Sequence, residues 1–383
     1  MKILVLGAGR MGLGAAYDLA HNSPDVLSVT VADIDSERAR AVCETVGSAK
    51  LTPAQIDVED SDHVVALMRG HDAAISCITY LHNLRLARAA INARTNFCDL
   101  GGNNSVVASE LALDEEARAA RINIVPDCGL APGMVVVLAA HGAERFDEIE
   151  AIHIRVGGLP LQPKPPLNYQ IVFSVEGLIN EYVERARVVR GGRIIDVESM
   201  TEIEELEFPA PFGKLEAFQT SGGASTLPDT FLGRIKELDY KTIRYPGHCA
   251  LVKLLIDLGL ASSDEVDLGS ARISPRRLLG ELLMRHLPAD EPDAVLVRLE
   301  FRGRTNNETR RLRYDIIDRF DERTRLSAMM RTTAFPASIV AQTMARGETI
   351  KKGALPQELC IPPLPFIAAL AARDIRIDES FVE

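Results

Sequence analysis

Met1-Lys-Ile-Leu-Val-Leu-Gly-Ala-Gly-Arg-Met-Gly12 is the stretch that decides the fold of this 383-residue chain. A short apolar run leads directly into the pattern Gly7-x-Gly9-x-x-Gly12, and a helical periodicity follows it. In such a unit the first glycine permits a tight reversal from strand to helix, and the second lets the backbone approach a pyrophosphate. The third lets the helix pack closely on the sheet, and the helix N-terminus offers free N–H groups to phosphates. The stretch therefore predicts a dinucleotide-binding fold.

A carboxylate at the end of the second apolar run predicts which dinucleotide is bound. Asp33 follows residues 27–32 and lies about 20 residues beyond the glycines, the usual position of a ribose ligand. Its carboxylate can accept hydrogen bonds from both ribose hydroxyls of NAD and would repel the 2′-phosphate of NADP. We therefore predict NAD. Arg38 and Arg40 lie just beyond and keep NADP open as an alternative.

The first third of the chain alternates apolar runs with helical patterns. Strands are predicted over residues 3–6, 27–32, 54–57, 72–78, 96–100 and 122–126, and helices over residues 11–20, 36–46, 60–68, 82–93 and about 107–120. This alternation is typical of a doubly wound parallel sheet of the Rossmann type, an α/β fold. Ligands of such sheets bind beyond the carboxyl ends of the strands, so the residues that follow each strand are site candidates.

From about residue 134 the pattern changes to longer alternating runs. Strands are predicted over residues 150–156, 170–174, 184–189, 294–301, 311–317 and 324–330, with a hairpin turn at 303–307. Helical patterns return at 335–345 and 364–373. We therefore expect an inserted α+β domain, built on a mainly antiparallel sheet, over residues 134–333. The NAD-binding domain would comprise residues 1–133 and about 334–383.

Composition excludes several classes of function. A net charge of −11 argues against nucleic acid or an anionic membrane as a partner. No apolar stretch approaches the roughly 20 residues that span a bilayer. Because Met1 opens directly into the first strand, we expect no signal peptide and a cytoplasmic protein. The six cysteines and eight histidines form no metal-ligand spacing, so no metal site is expected.

Four later segments carry a resemblance to a known family. They are Pro126-Asp-Cys-Gly-Leu-Ala-Pro-Gly-Met134, Phe173-Ser-Val-Glu-Gly-Leu-Ile-Asn-Glu-Tyr182, Phe218-Gln-Thr-Ser-Gly-Gly223 and Lys241-Thr-Ile-Arg-Tyr-Pro-Gly-His248. With the opening glycines they resemble the saccharopine dehydrogenase superfamily over nearly the whole chain, and within it the L-lysine 6-dehydrogenases. Cys77 and Cys128 depart from the pattern, because related chains can carry other small residues there.

The resemblance implies an NAD-dependent oxidation of the ε-amine carbon of lysine. The imine would hydrolyse to 2-aminoadipate 6-semialdehyde, which cyclises, and the subunits would form a homodimer or a higher homo-oligomer through the second domain. The cofactor-binding residues carried over are Gly7, Gly9, Arg10, Met11 and Gly12 for the phosphates, Asp33 for the ribose, Asp57 and Val58 for the adenine, Ser76, Cys77 and Ile78 for the nicotinamide ribose, and Gly101, Gly102 and Asn103 beside the nicotinamide.

A hydride can leave the ε-carbon only when the amine is neutral and its nitrogen can supply a lone pair. Since the ε-amine of lysine has a pKa of about 10.4, we expect a proton acceptor and an alkaline optimum. The candidate acceptors are Asp127, Lys241 and His82. Each has a structural alternative: a cap of the following turn for the aspartate, a solvated strand position for the lysine and a helix start for the histidine.

Substrate binding needs a cation for the α-carboxylate. Arg244 is the best candidate, because a guanidinium offers a bidentate fork and the following Pro-Gly begins a predicted helix. The full set of candidate substrate-binding residues is Arg244, His248, Glu176, Thr220, Ser221 and Tyr80.

Two other functions remain open at this point. A reductase that makes a secondary amine, of the saccharopine or carboxynorspermidine type, would need a second carboxylate anchor, which Arg155 or Lys164 could supply. A nucleotide-binding module without turnover would bind NAD and oxidise no amine.

Overall fold

The chain folds into two units, each with its own sheet. In the computed structural model, which describes residues 1–382, the first unit comprises Met1–Glu144, Ser225–Leu227 and Met330–Arg376. The second comprises Arg145–Ala224, Pro228–Met329 and the segment from Ile377 onward. The first unit thus extends past residue 133, where the sequence pattern changes, and the last strand belongs to the second unit.

The strands are β1 (Lys2–Leu6), β2 (Ser28–Asp33), β3 (Leu51–Gln55), β4 (Ala73–Ser76), β5 (Asn96–Asp99), β6 (Asn123–Val125), β7 (Glu148–Pro160), β8 (Ala186–Arg190), β9 (Arg193–Val197), β10 (Glu204–Phe208), β11 (Gly213–Gln219), β12 (Glu237–Arg244), β13 (Val266–Asp267), β14 (Arg272–Ile273), β15 (Asp293–Thr305), β16 (Glu308–Arg319), β17 (Gly353–Ala354) and β18 (Asp378–Val382).

The α-helices are α1 (Arg10–His21), α2 (Ser36–Val46), α3 (Ser61–Met68), α4 (Asn83–Ala93), α5 (Asn104–Leu111), α6 (Asp114–Ala120), α7 (Met134–Ala143), α8 (Val175–Val183), α9 (Leu227–Thr230), α10 (His248–Asp257), α11 (Pro275–His286), α12 (Ala328–Arg346), α13 (Gln357–Cys360) and α14 (Pro363–Ala371). None of the helices described is long and apolar enough to cross a membrane.

The first unit is built on a seven-stranded parallel sheet in the order β17-β6-β5-β4-β1-β2-β3. The residues of β1 from Ile3 onward are fully buried, as expected for a strand covered on both faces. The strand order reverses between β1 and β4, which opens a ligand crevice at their carboxyl ends. The predicted Rossmann-type fold is therefore confirmed, with the short C-terminal β17 added at one edge.

The second unit is built on a nine-stranded, mainly antiparallel sheet. Its main path runs β10-β11-β12-β7-β15-β16-β18, and β8 pairs with both β12 and β9. Only the β12–β7 pair is parallel among the described strands of this sheet. Because side chains alternate along a strand, Asp239 and Lys241 of β12 lie on one face and Arg244 lies on the other.

Two predicted strands are wrong. Residues 170–174 form an irregular segment that leads into α8, because Ser174 caps that helix by accepting a hydrogen bond from the N–H of Gly177 at 2.9 Å. Residues 324–330 contain a turn and the start of α12, where the Asp293 carboxylate accepts from the N–H groups of Ala328 and Met329 at 2.7 and 3.0 Å. The strand that pairs with β16 is instead β18.

Candidate active site

The glycine loop of the first unit has the geometry of a phosphate cradle. Gly7 has a φ of +103°, and its N–H donates to the carbonyl of Ala32 at 2.7 Å. A Cβ at Gly12 would collide with the carbonyl oxygen of Gly7, whereas the space beside Gly9 is open. Helix α1 begins at Arg10 with no acidic residue in its first turn. The loop therefore fits a dinucleotide pyrophosphate, and Arg10 and Met11 lie at the helix start.

Asp33 is fixed beside this loop by backbone donors. Its Oδ2 accepts from the N–H of Ala8 at 2.7 Å, and its Oδ1 accepts from the N–H of Asp35 at 2.9 Å. The two arginines that could bind a 2′-phosphate are each paired with a carboxylate. Arg38 lies 3.5 Å from Asp35, and Arg40 lies 2.6 Å from Glu37. The local charge around the expected ribose position is therefore dominated by carboxylates.

The other predicted cofactor residues also lie at the carboxyl edge of the parallel sheet. Ser76 ends β4, and its hydroxyl donates to the side-chain oxygen of Asn83 at 2.9 Å. Asp57 and Val58 follow β3, Cys77 and Ile78 follow β4, and Gly101, Gly102 and Asn103 follow β5. Asn103 caps α5 by accepting from two backbone N–H groups, and burial raises the pKa of Cys77 so that its thiol stays protonated.

Asp127 lies just beyond β6 at the same edge. It is 5% exposed and has a φ of +62°, a left-handed conformation that is uncommon outside glycine. Ser225 donates its hydroxyl to Oδ2 of Asp127, and Gln357 donates to the Asp127 carbonyl. Oδ1 has no hydrogen-bond partner among the described residues and lies where a Cβ of Gly101 would be. The carboxylate therefore packs directly against the glycine pair that is predicted to border the nicotinamide.

Two further carboxyl groups lie beside Asp127, and we call Asp99, Glu110 and Asp127 the carboxyl cluster. Burial raises the pKa of Asp99 to about 6, and burial together with Asp99 raises the pKa of Glu110 to about 11. Burial and Asp99 raise the pKa of Asp127 to about 8. Asp127 is thus a group that gives up its proton at mildly alkaline pH.

The other two candidate proton acceptors each lie within hydrogen-bonding distance of a carboxylate. His82 lies in a short 3-10 turn, with its Nδ1 3.1 Å from a carboxylate oxygen of Glu59. Lys241 donates to the Glu202 carbonyl at 2.7 Å and to the Glu204 carboxylate at 2.8 Å. It lies on the face of the second sheet opposite to Arg244. The side chains of both residues are therefore already occupied by carboxylate partners, unlike Oδ1 of Asp127.

Lys241 belongs to a larger set of charges, which we call the ion-pair network and define as Arg155, Glu204, Asp239 and Lys241. Arg155 donates to both Glu204 and Asp239, the latter at 2.8 Å. His153 and Arg190 add further donors to Asp239 at 2.8 and 2.9 Å. Burial would raise the pKa of Asp239, but His153 and Arg155 outweigh it and hold that pKa well below its usual range.

Arg244 has a different environment on the opposite face. Its guanidinium is 3% exposed, donates through Nε to the Tyr182 hydroxyl at 3.0 Å, and lies 4.8 Å from the centre of the Tyr169 ring. No carboxylate of the described residues forms an ion pair with it. His248 donates to or accepts from the same Tyr182 hydroxyl at 3.0 Å. Burial and Arg244 lower the pKa of His248 to about 3, so this histidine stays neutral.

The remaining predicted substrate residues are not all near Arg244. Thr220 shares a 2.7 Å hydrogen bond with Thr242, and the Ser221 hydroxyl donates to the Asn180 carbonyl. Glu176 instead forms a surface ion pair with Arg276 at 2.6 Å. Tyr80 lies in the first unit, where its ring occupies the space beside Gly102.

Sequence reasoning missed two acidic residues of interest. Burial raises the pKa of Glu181 to about 7, although Arg244 opposes the rise. Glu181 lies within the quoted segment 173–182, next to Tyr182, so its position could have flagged it. Glu110 lies inside a helical pattern, where nothing in the sequence distinguishes it from a solvated glutamate. Among the described residues no group of three or more His, Cys, Asp or Glu side chains could hold a metal ion.

Two family models match the chain. The model described as Saccharopine dehydrogenase NADP binding domain matches residues 3–125, and Saccharopine dehydrogenase C-terminal domain matches residues 129–375. The chain is similar to the NADP-dependent, L-glutamate-forming saccharopine dehydrogenases of Pyricularia oryzae and Saccharomyces cerevisiae. It is 26% identical to the first over 69% of its length and 23% identical to the second over 74%. The matches span 59% and 63% of those relatives, less than two thirds of their length.

Solved structures show the same fold. The apo L-glutamate-forming saccharopine dehydrogenase of Saccharomyces cerevisiae superposes with a TM-score of 0.80 at 19% identity, covering all of both chains. The homospermidine synthase of Legionella pneumophila in complex with NAD superposes with a TM-score of 0.64 at 13% identity, covering all of this chain and 91% of that one.

Proposed function

Since the chain belongs to the saccharopine dehydrogenase family, we propose that it is an oxidoreductase that removes hydride from an amine-bearing carbon. The proposed substrate is L-lysine, oxidised at its ε-carbon to an imine. Water then releases ammonia and leaves 2-aminoadipate 6-semialdehyde, which closes on its own α-amine to piperideine-6-carboxylate. When bound, NAD supplies the hydride acceptor.

The observation that carries this proposal is the buried and unpaired charge of Arg244. A guanidinium that is 3% exposed and has Glu181 nearby, but no carboxylate within ion-pair distance among the described residues, is incompletely compensated until an anion binds to it. The α-carboxylate of an amino acid supplies that anion and matches the guanidinium fork. Glu181, beside Arg244, is the nearest candidate for the α-ammonium group.

Among the described residues of the second unit, Arg244 is the only buried cation that forms no ion pair with a carboxylate, which favours lysine over saccharopine. Arg155 is neutralised by Glu204 and Asp239, and Lys164 pairs with Glu291. Neither is therefore free to bind the additional carboxylates that saccharopine carries. One anchor suits a substrate with one carboxylate.

The saccharopine reaction is the second candidate, because the curated relatives are saccharopine dehydrogenases. In that reaction a secondary amine takes the place of the ε-amine of lysine. It requires a second cationic anchor, for which Lys164 is the most exposed possibility. A nucleotide-binding protein without turnover is a third outcome.

We propose Asp127 as the proton acceptor for the substrate ammonium, in preference to Lys241 and His82. Its Oδ1 has no donor among the described residues and packs against Gly101, and burial with Asp99 raises its pKa to about 8. Asp127 must be ionised to accept a proton, so kcat/KM should rise with pH up to about 8.

We propose NAD in preference to NADP, although the curated relatives are NADP-dependent. The support is the Asp33 carboxylate held beside the glycine loop, together with the pairing of Arg38 and Arg40 with carboxylates. Asp33→Ala should raise the KM for NAD at least about tenfold and leave the KM for the amine unchanged. A preference for NADP in the unmodified protein would contradict this assignment.

We propose a homodimer formed through the second unit. Helices α10 and α11 and the residue that follows α10 expose large apolar side chains to solvent in the single chain: Leu251, Leu254, Leu258, Leu278 and Leu282. An apolar surface of this kind marks an interaction site more often than a free surface. Sedimentation should show a dimer, and Leu254→Glu should shift it to a monomer; a monomeric unmodified protein would contradict the proposal.

The test of the function is NADH formation at alkaline pH from L-lysine or from saccharopine, each supplied with NAD. Turnover with lysine alone supports the proposal, and turnover with saccharopine alone supports the second candidate. Arg244→Met should raise the KM for lysine by about 10²-fold, because it removes the partner of a carboxylate. Lys164→Met is the matched control and should leave lysine kinetics unchanged. Binding of NAD with no turnover of any amine would favour the binding module.

A further inference from the structure

The carboxyl cluster contains a residue that the proposed reaction does not use. Glu110 on α5 is fully buried, and neither of its carboxyl oxygens has a hydrogen-bond donor among the described residues. None of the three carboxyl groups forms an ion pair with a cation in the described part of the chain. Three carboxylates without a cation cannot all be charged in a buried site, so at least one of them holds a proton.

Hydrogen bonds identify which group holds that proton. Oδ1 of Asp99 accepts from the N–H groups of Gly101 and Asp127 at 2.6 and 3.3 Å, and these donors favour its charged form. Oδ2 of Asp99 and both oxygens of Glu110 have no other donor among the described residues, and a hydrogen bond between the two carboxyl groups lowers the pKa of Asp99 and raises that of Glu110. Two carboxyl groups can satisfy each other only through a shared proton. The one without backbone donors, Glu110, must carry it.

We propose that Glu110 is a positioning residue that stays protonated, donates its O–H to Asp99, and thereby holds Asp99 as an anion beside Asp127. The proposal rests on the proposed function, in which Asp127 accepts the proton of the substrate ammonium. Glu110 itself is not a catalytic residue, because in its protonated form it acts on Asp127 through its hydrogen bond to Asp99.

The electrostatics of the cluster agree with this arrangement. Burial and Asp99 raise the pKa of Glu110 to about 11, whereas burial raises the pKa of Asp99 only to about 6. Between these values Glu110 is neutral and Asp99 is charged. The other groups that act on Asp127 are Glu358, which raises its pKa, and Ser225, whose hydrogen bond lowers it. Asp99 is the group that both raises the pKa of Asp127 and forms a hydrogen bond with Glu110.

The test compares the pH dependence of kcat/KM in Glu110→Gln and Glu110→Met with that of the unmodified protein. An amide keeps a neutral donor to Asp99, so Glu110→Gln should not shift the low-pH side of the kcat/KM profile, where Asp127 loses its proton. We call this part of the profile the acidic limb. A thioether removes that donor, so Asp99 takes up a proton more readily and repels the Asp127 charge less. The acidic limb of Glu110→Met should therefore move to lower pH by roughly one unit.

Two results would overturn the proposal. If Glu110 were ionised, Glu110→Gln would remove a negative charge and would itself move the limb to lower pH. If Glu110 only filled space, both variants would keep the limb and change only the amount of folded protein. Asp99→Asn provides an independent check, because it should lower the limb as Glu110→Met does, and an unmoved limb would contradict the route through Asp99.

An infrared measurement separates this inference from the proposed reaction. A protonated carboxyl group has a C=O stretching band distinct from that of carboxylates, and at pH 9 the band should be present in the unmodified protein and lost in Glu110→Gln. Its absence from the unmodified protein would overturn the protonation of Glu110 whether or not lysine is oxidised. Conversely, a band that persists in a protein inactive towards lysine would remove the proposed function and leave the protonated Glu110 standing.

Discussion

The carboxyl cluster of the first unit and the ion-pair network of the second solve the same physical problem in opposite ways. Both bury charged side chains. In the ion-pair network Asp239 is surrounded by Arg155, His153 and Arg190, and its pKa is held low. In the carboxyl cluster no cation of the described residues forms an ion pair with the carboxyl groups, and the pKa of Asp127 rises to about 8.

The difference separates a structural use of buried charge from a chemical one. A carboxylate fixed by two cations stays charged at every working pH and cannot exchange a proton. A carboxyl group whose neighbours are other carboxyl groups changes its protonation within the range in which an amine dehydrogenase would operate. The difference therefore supports the proposal that Asp127 carries out acid–base chemistry and that Asp239 stabilises the fold, and each part of this proposal can be tested.

The largest expected effect is on turnover. Asp127→Asn preserves the shape of the side chain and removes its ability to accept a proton, so kcat/KM for lysine should fall by about 10³-fold. NAD binding, measured by fluorescence titration, should stay within a factor of about two, because the glycine loop is untouched. A variant with near-normal turnover would show that the carboxyl cluster is not the source of the base.

Substitutions in the ion-pair network should lower the free energy of unfolding and leave turnover unchanged. Arg155→Met leaves Asp239 and Glu204 without their shared partner, which should lower the free energy of unfolding by about 3–5 kcal/mol. Urea unfolding measures this change, and kcat per folded molecule should be unaltered. The double variant Arg155→Met/Asp239→Leu should recover most of the loss, since no buried charge is then left unpaired. A lack of recovery would mean that the network is more than a pair of neutralised charges.

The contributions of the two clusters to the free energy of unfolding change with pH in opposite directions. Asp127 has a folded pKa of about 8 and an unfolded pKa near 3.8, so between these values the folded state binds more protons than the unfolded state. Its contribution therefore makes the protein less stable as pH rises through this window, by up to about 1.4 kcal/mol per pH unit. Asp239 has a lowered pKa, and its contribution is lost only as pH falls below the usual range of an aspartate.

Asp127→Asn isolates the first of these contributions. The difference in unfolding free energy between this variant and the unmodified protein should grow from pH 5 to pH 8 and level off above the pKa of about 8. Glu110 titrates above that window and is common to both proteins, so it cancels in the difference. Parallel curves across the whole range would mean that Asp127 is not neutral in the folded protein at low pH.

Local sequence was sufficient for the nucleotide half of the molecule. The glycine spacing, the carboxylate after β2 and the polar residues after the parallel strands depend on short-range patterns, and the structure brings them to one edge of the sheet. The strand predicted at residues 324–330 failed because Asp293, distant in sequence, caps the start of α12. The apolar alternation at residues 170–174 failed because burial of an irregular segment leaves the same pattern as a strand.

The chemistry of the candidate site depended on distant contacts that no local pattern records. Lys241 and Arg244 occur in one short segment, and the sequence does not show which groups each side chain contacts. Their alternation on β12 places them on opposite faces, where one meets carboxylates and the other meets Tyr182 and Tyr169. The proposed role of Glu110 could be inferred only from its hydrogen bond with Asp99, which forms between residues on different elements of the fold.

The smallest expected effect is that of Lys241→Met. It tests whether a member of the ion-pair network contributes to stability alone or also acts as a base. Lys241 donates to the Glu202 carbonyl and to Glu204, which keeps Arg155 as a partner when the lysine is removed. The free energy of unfolding should fall by only about 1–2 kcal/mol, and kcat/KM for lysine should stay within a factor of about three. A base at this position would instead lose about 10²-fold in kcat/KM and shift the pH profile. Measured beside Asp127→Asn at equal folded fraction, that result would move the proton acceptor to the second unit, and the contrast between the two clusters would no longer separate chemistry from stability.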